Sequence, residues 1–279
     1  MSKIAVVGLM GESVFLPVEH FHVGGETLEA KAFHTEPGGK GFNQAIAAAR
    51  FGADVAFLAA AGNEGYGRYV ADFMKNEGVR AYFPEKNDRT AYAVIITDAE
   101  GRNRVTEYTG ARLEPSDLDG FEHEIADADF LMLSNEVPTE VNEMAANLAG
   151  KHGVRIIMNP APYHPLPEAL KKKIWLFTPN EHETEGLEEY KNCIVTLGKA
   201  GCLIRMTGEN IPATDDVAVD TTGAGDTFNG VLAVMLAEGR ETGDAVRIAS
   251  KASGLGVTRR GAVSSIPYRN EIIKGEQNT

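Results

Sequence analysis

Apolar positions follow two alternating patterns along the chain. Short, nearly continuous runs recur as IAVVG (4–8), VAFLAAAG (55–62), FLML (130–133), VRIIMN (154–159), IWLFTP (174–179), CIVTLG (193–198) and CLIRM (202–206). Runs apolar at every position, rather than every second one, predict strands covered on both faces. Between them the spacing changes to three and four. FNQAIAAARFG reads as a helix, as does EGYGRYVADFMKNEG, where Tyr66, Tyr69, Val70, Phe73 and Met74 share one side. TFNGVLAVMLAEG repeats the pattern through Phe228, Val231, Leu232, Met235 and Leu236, and Gly239 supplies a stop. This alternation predicts an α/β fold: a mainly parallel sheet with helices on both faces, ligands gathering at the carboxyl ends of its strands.

Two stretches break the alternation. HFHVGGETLEAKAFHTEPGG has no helical period, and AYAVIITDAEGRNRVTEY reads as two extended runs joined by the turn DAEG. Together they predict a small sheet standing off the main body, from about residues 11–37 and 89–112 of a single domain spanning 1–279. It is either a lid that excludes water from a cleft or an ordinary surface hairpin.

Composition narrows the partners. The 279 residues carry a net charge of −13, which argues against nucleic acid or an anionic membrane surface as a general partner. Cys193 and Cys202 both lie in apolar runs, as expected of buried thiols in a cytosolic protein rather than of a disulfide or metal site. The apolar N-terminus is interrupted by Glu12 and glycines and reads as a first strand, not a leader. No run approaches the roughly 18 residues of a membrane span.

Three polar clusters carry candidate chemistry. DTTGAGDTFNG (220–230) sets Gly223, Ala224 and Gly225 at a helix N-terminus, where unpaired N–H groups favour an anion, and places Asp226 at its mouth. A simple N-cap is the plainer alternative. EPGGKGFNQA (36–45) lacks the spacing of a Walker A loop. Its Lys40 and Asn43 follow a backbone that a ligand can approach closely, suiting either a hydroxyl-binding site or a mere turn. TPNEHE (178–183) spaces Asn180 and Glu183 at i, i+3, which on a starting helix puts two oxygen ligands suited to Mg²⁺ on one face; a capping box is the alternative.

Their co-occurrence in this order resembles the ribokinase (PfkB) family of carbohydrate and nucleoside kinases. The resemblance is closest to its ribokinase-like sugar kinases, through GGETLEAKAF, NPAP (159–162) and VTRRGAVSSIP (257–267). It implies that Gly223, Ala224 and Gly225 form an anion hole and that Asp226 is the base for a sugar hydroxyl attacking the γ-phosphorus of ATP. Sugar contacts carry over to Glu12 or Ser13, Gly38, Gly39, Lys40, Asn43, Glu136 and Asp226. Nucleotide contacts carry over to Asn180, Thr196, Gly198, Gly201, Gly223 and Gly225. Asn180 and Glu183 match a motif that places Mg²⁺ through water. Asp220, Thr222, Gly256, Gly261 and Ser265 match a monovalent-cation loop, implying K⁺. Dimerisation through the lid strands is implied as well.

The chain departs from this pattern at several points. Ser13 stands where ribokinases place an aspartate that holds two hydroxyls, so either Glu12 takes over or the acceptor is not ribose. Arg112 replaces a frequent Asn. The segment between Glu183 and Cys193 is short, and MTGENIPA leaves little room for a hairpin. The reading is therefore an ATP-dependent kinase for ribose or a related small sugar. A nucleoside or other sugar kinase, or a non-catalytic sugar- or nucleotide-binding sensor, are the alternatives.

Overall fold

The computed structural model describes residues 1–100 and 102–273. Gly101, which closes the expected DAEG turn, and residues 274–279 of the expected domain lie outside the described residues. The chain forms strands β1 (Lys3–Val7), β2 (Gly11–Pro17), β3 (His34–Gly38), β4 (Asp54–Leu58), β5 (Ala61–Gly62), β6 (Val79–Tyr82), β7 (Glu85–Lys86), β8 (Ala91–Thr97) and β9 (Asn103–Tyr108). Then come β10 (Phe130–Ser134), β11 (Arg155–Asn159), β12 (Leu176–Phe177), β13 (Ile194–Thr196), β14 (Cys202–Ile204) and β15 (Glu209–Ile211). The α-helices are α1 (Lys40–Arg50), α2 (Tyr66–Asn76), α3 (Glu122–Ala126), α4 (Thr139–His152), α5 (Glu168–Lys171), α6 (Ala224–Ala237), α7 (Thr242–Val257) and α8 (Arg269–Ile272).

Six strands form the central sheet in the order β12-β11-β10-β1-β4-β6, every pair parallel. Alternate residues of β1 feed two cores: Ile4 and Val6 pack under α1, α2, α6 and α7, whereas Ala5 and Val7 pack under α3 and α4. After β1 the chain builds one half of the sheet through β4 and β6 and the other through β10, β11 and β12. The strand order therefore reverses beside β1, where such sheets open a crevice at their carboxyl ends.

β6 lies in VRAY, too short and polar a run to read as a strand; its pairing with β4 supplies the order. The two cysteine-containing runs are corrected in topology. They do not continue the parallel sheet but form an antiparallel three-stranded sheet, β13-β14-β15. Single parallel bridges, Phe177 to Cys193 and Asn180 to Thr196, attach it to the region after β12. The MTGENIPA segment does form a hairpin, β14–β15, through a turn that places Gly208 at φ 75°. Both thiols are free and buried, and burial pushes the Cys193 pKa up to about 11.

The non-periodic stretches pair as expected into a separate sheet, β3-β2-β8-β9. β9 is its exposed edge. Of the five residues on the apolar side of α2, Val70 and Met74 are fully buried, but Tyr69 is half exposed and packs on Tyr66. No helix among the described residues is long and apolar enough to cross a membrane.

Candidate active site

A cavity of about 520 Å³ opens at the carboxyl ends of β1, β4 and β10, between the central sheet and the four-stranded sheet. Two buried helices deliver the polar groups at its floor. α6 is buried from Asp226 through Leu236, and α1 from Gly41 through Ala48. They approach closely because Gly230 has no side chain; a Cβ there would overlap the Gln44 carbonyl and come within 2.6 Å of Ala47 Cβ. Packing thus brings the start of one helix against the start of the other.

Asp226 sits at that junction, 7% exposed. Its carboxylate accepts hydrogen bonds from Asn43 Nδ2 (2.9 Å) and Gln44 Nε2 (3.4 Å). Burial raises its pKa, opposed by the Lys40 ammonium and by the two amide donors. Lys40 in turn is held charged chiefly by Asp226. Beside the carboxylate, Gly223 caps α6 in the left-handed region, φ 74°, and Ala224 N–H makes only a 3.3 Å bond to the Thr221 carbonyl. The N–H groups of Gly223, Gly225 and Asp226 donate to nothing among the described residues. Unpaired donors at the end of a long helix, next to a buried carboxylate, can bind an anion while the carboxylate accepts a proton.

Glu136, after β10, accepts the backbone N–H groups of Lys40 (2.9 Å) and Gly41 (3.2 Å), so it caps α1 as well as lining the cavity. Burial pushes its carboxyl up to about 7, against the Lys40 charge and the two amides. Gly39, φ 104°, passes against the Leu9 carbonyl, and a Cβ on Gly41 would meet Gly8 Cα at 2.7 Å. These approaches put the GGKG turn directly on the loop after β1.

Of the expected residues, Glu12, Ser13, Gly38, Gly39, Lys40, Asn43, Glu136, Thr222, Gly223 and Asp226 line this one cavity. Glu12 and Ser13 are consecutive in β2, so their side chains leave on opposite faces, and the Glu12 carboxylate stands 3.8 Å from Arg89 Nη2.

Asn180, Glu183, Thr196, Gly198 and Gly201 cluster separately. Thr196 pairs with Asn180, and Leu197 N–H bonds to the Gly201 carbonyl at 2.8 Å. Asn180 and Glu183 do not start a helix. The Glu183 carboxylate folds back on Asn180 N (2.9 Å) and Nδ2 (2.8 Å), and the chain continues through turns, with Gly186 at φ 74°. Asn180 Oδ1 accepts the His182 N–H (2.8 Å) and the Asn180 carbonyl accepts Glu183 N–H (3.1 Å), so half of a capping box closes a turn instead of a helix. The two oxygen-bearing side chains do not make a protein cage. They fit a Mg²⁺ ion that keeps most of its waters and takes phosphate oxygens.

Asp220, Thr222 and Gly261 are tied together: Asp220 accepts Thr222 N (3.0 Å), Thr222 Oγ1 (2.7 Å) and Gly261 N (3.0 Å). Gly256 lies against Ser265, where a Cβ would be 3.7 Å from the Ser265 carbonyl oxygen.

Three contributors escaped the sequence reading. Gln44 links Asp226 to Asn159 Oδ1 (3.3 Å), and Asn159 Nδ2 donates to the Thr178 carbonyl (2.9 Å), joining Asp226 to the strand end that precedes Asn180. Glu36, buried in β3, accepts the N–H groups of Ala262 and Ser264 and holds the 261–265 loop. Only the polarity of Gln44 beside Asn43, ahead of the apolar run AIAAA, hinted at such a role.

Comparison with known proteins places this geometry. Residues 1–269 match the model of the pfkB family carbohydrate kinases. The chain is 34% identical to the ribokinase of Bacillus subtilis, covering 98% of each. The structure of ribokinase from Thermotoga maritima superposes with a TM-score of 0.88 at 32% identity, covering 98% of both chains. That of Arabidopsis thaliana ribokinase complexed with ribose and ATP gives 0.84 at 27% identity, again covering 98% of both. The chain belongs to the pfkB family of carbohydrate kinases.

Proposed function

We propose that the protein transfers the γ-phosphoryl group of ATP to a primary hydroxyl of ribose or a closely related small sugar. The observation that carries this reading is the buried Asp226 carboxylate at the N-terminus of α6, facing the cavity beside unpaired N–H groups. In phosphoryl transfer most of the catalytic work is positioning and charge stabilisation. Asp226 accepts the proton of the sugar hydroxyl as that oxygen bonds to the γ-phosphorus and the bond to the ADP oxygen breaks. The N–H groups of Gly223, Ala224 and Gly225 receive the negative charge on the transferring group. Asn43 and Gln44 fix the carboxylate, and Lys40 favours its ionised form.

The full ribokinases named above share this span, and one was solved with ribose and ATP, which supports a sugar–nucleotide pair here. Asn180, Thr196, Gly198 and Gly201 line the nucleotide side in this reading. Asn180 and Glu183 would hold Mg²⁺, and the ion would neutralise phosphate charge. The oxygens of the 220–222 and 256–265 loops suit a K⁺ ion beside the α6 N-terminus. The four-stranded sheet acts as the lid, and its exposed β9 edge offers backbone groups for pairing with a second chain, which sedimentation at micromolar concentration checks.

The test is ADP release with Mg²⁺-ATP across ribose, deoxyribose, fructose, other sugars and nucleosides, with and without K⁺. Turnover on a small sugar is expected. Turnover confined to nucleosides, or binding without turnover, overturns the reading.

A further inference from the structure

Four carboxylates line the main cavity: Glu12, Glu107, Glu136 and Asp226. Three are committed within the chain. Glu12 faces Arg89, Glu136 holds the Lys40 and Gly41 amides, and Asp226 is held by Asn43 and Gln44. Glu107, in β9, has no hydrogen bond or ion pair with any described residue. It is exposed, so its carboxylate is solvated and available.

Register fixes what it lies beside. Ser13 in β2 pairs with Ala93 in β8, and Ala93 pairs with Glu107 in β9. The three form one row across the sheet, and all three line the cavity, as do Glu12, Tyr92 and Tyr108 of the neighbouring row. Two strand spacings separate Ser13 from Glu107, about 10 Å between their backbones. Ala93 between them carries only a methyl, so space is left between the two polar side chains. The Glu107 charge also reaches Lys40, which adds to holding that ammonium protonated. It therefore shares the electrostatic space of the base.

We infer that Glu107 is an acceptor-binding residue: its carboxylate takes hydrogen bonds from two adjacent sugar hydroxyls, while Ser13 across Ala93 makes a single one. A carboxylate can offer one charged oxygen to each of two neighbouring hydroxyls, whereas a serine has a single neutral oxygen. The acceptor is accordingly a neutral polyhydroxy compound with an unsubstituted vicinal diol. A phosphate or carboxylate at that position would meet Glu107 as a like charge. The inference rests on the sugar-kinase reading above.

The experiment compares wild type with Glu107→Ala, Glu107→Gln and the double variant Ser13→Asp/Glu107→Ala. Steady-state kinetics would use the best sugar of the acceptor panel, alongside calorimetric titration of that sugar without nucleotide. For Glu107→Ala, sugar KM and Kd should rise about 10- to 100-fold, the loss of hydrogen bonds to a charged group. KM for ATP and the melting temperature should not move, since the side chain bonds to nothing among the described residues. Glu107→Gln should fall between, and Ser13→Asp should restore much of the sugar affinity by returning a carboxylate to the same row. Unchanged sugar KM in Glu107→Ala with an active wild type overturns this inference and leaves the kinase reading standing. A wild type that neither binds nor phosphorylates any sugar overturns both.

Discussion

The two walls of the cavity are built on opposite principles. The floor, where α1 meets α6, is packed: Phe42, Ala45 and Ala48 are fully buried, and so are Val231 and Leu232. Its polar groups are joined in a chain from Asp226 through Gln44 and Asn159 to the Thr178 carbonyl. The roof is a four-stranded sheet with one wholly exposed strand, and its Glu107 faces the cavity with no partner among the described residues. Chemistry that depends on tenths of an ångström sits where packing over-determines position. The acceptor contacts proposed for Glu107 and Ser13 sit on a surface that can vary without unfolding the chain. Floor changes should therefore cost stability and kcat together, whereas roof changes should appear in sugar KM alone.

The largest effect expected is at Gly230. Gly230→Ala sets a methyl against the Gln44 carbonyl, and overpacking of this kind costs about 1–3 kcal/mol. Denaturant unfolding should show that loss, with kcat falling because α1 carries Asn43 away from Asp226. Full stability in this variant would break the contrast between floor and roof.

Gln44→Ala comes next. It leaves Asn159 Oδ1 without its donor in a buried setting, worth about 1–2 kcal/mol. It also removes a donor that stabilises the Asp226 carboxylate, so the acid limb of the kcat–pH profile should move to higher pH. An unmoved limb would separate Gln44 from the base.

Glu136 supplies a pH signature. Its folded pKa of about 7 lies above the ordinary 4.5, so the folded chain binds that proton more tightly than the unfolded chain. The associated stability is complete below the unfolded pKa and is lost as pH rises through about 7, with a slope of at most about 1.4 kcal/mol per pH unit. Glu136→Gln should flatten the change in melting temperature between pH 5 and 8. An unaltered slope would assign it to another group.

The smallest effect is expected on the roof. Tyr108 is half exposed and bonds to Asp88 at 2.8 Å while lining the cavity. Tyr108→Phe should change stability by under about 0.5 kcal/mol and leave kcat alone, with only sugar KM free to move. A drop in kcat would show that the roof positions the reacting groups too.

Much of the site was legible because its chemistry is local. TGAGD needs only a left-handed glycine and the helix that follows it, and both lie within one stretch of sequence. The central strands were legible for a similar reason, since burial on both faces leaves continuous apolar runs. What stayed hidden depends on distant partners. β6 is a strand because β4 lies beside it, and β13–β15 pair with one another because their connections are short enough for hairpins. Gln44 and Glu36 lie in the EPGGKGFNQA cluster but act through residues more than a hundred positions away, which nothing local names. Asn180 and Glu183 were recognised as a pair, but the turn they close could not be told from a helix start by an i, i+3 spacing alone.

The most direct test of the account is kcat for sugar phosphorylation by Asp226→Asn beside wild type, with melting temperatures confirming that both fold. The substitution keeps the shape and removes the proton acceptor. The account predicts a fall in kcat of about 10²- to 10⁴-fold with sugar KM little changed. Turnover at the wild-type rate would contradict it, because Asp226 could not then be the base.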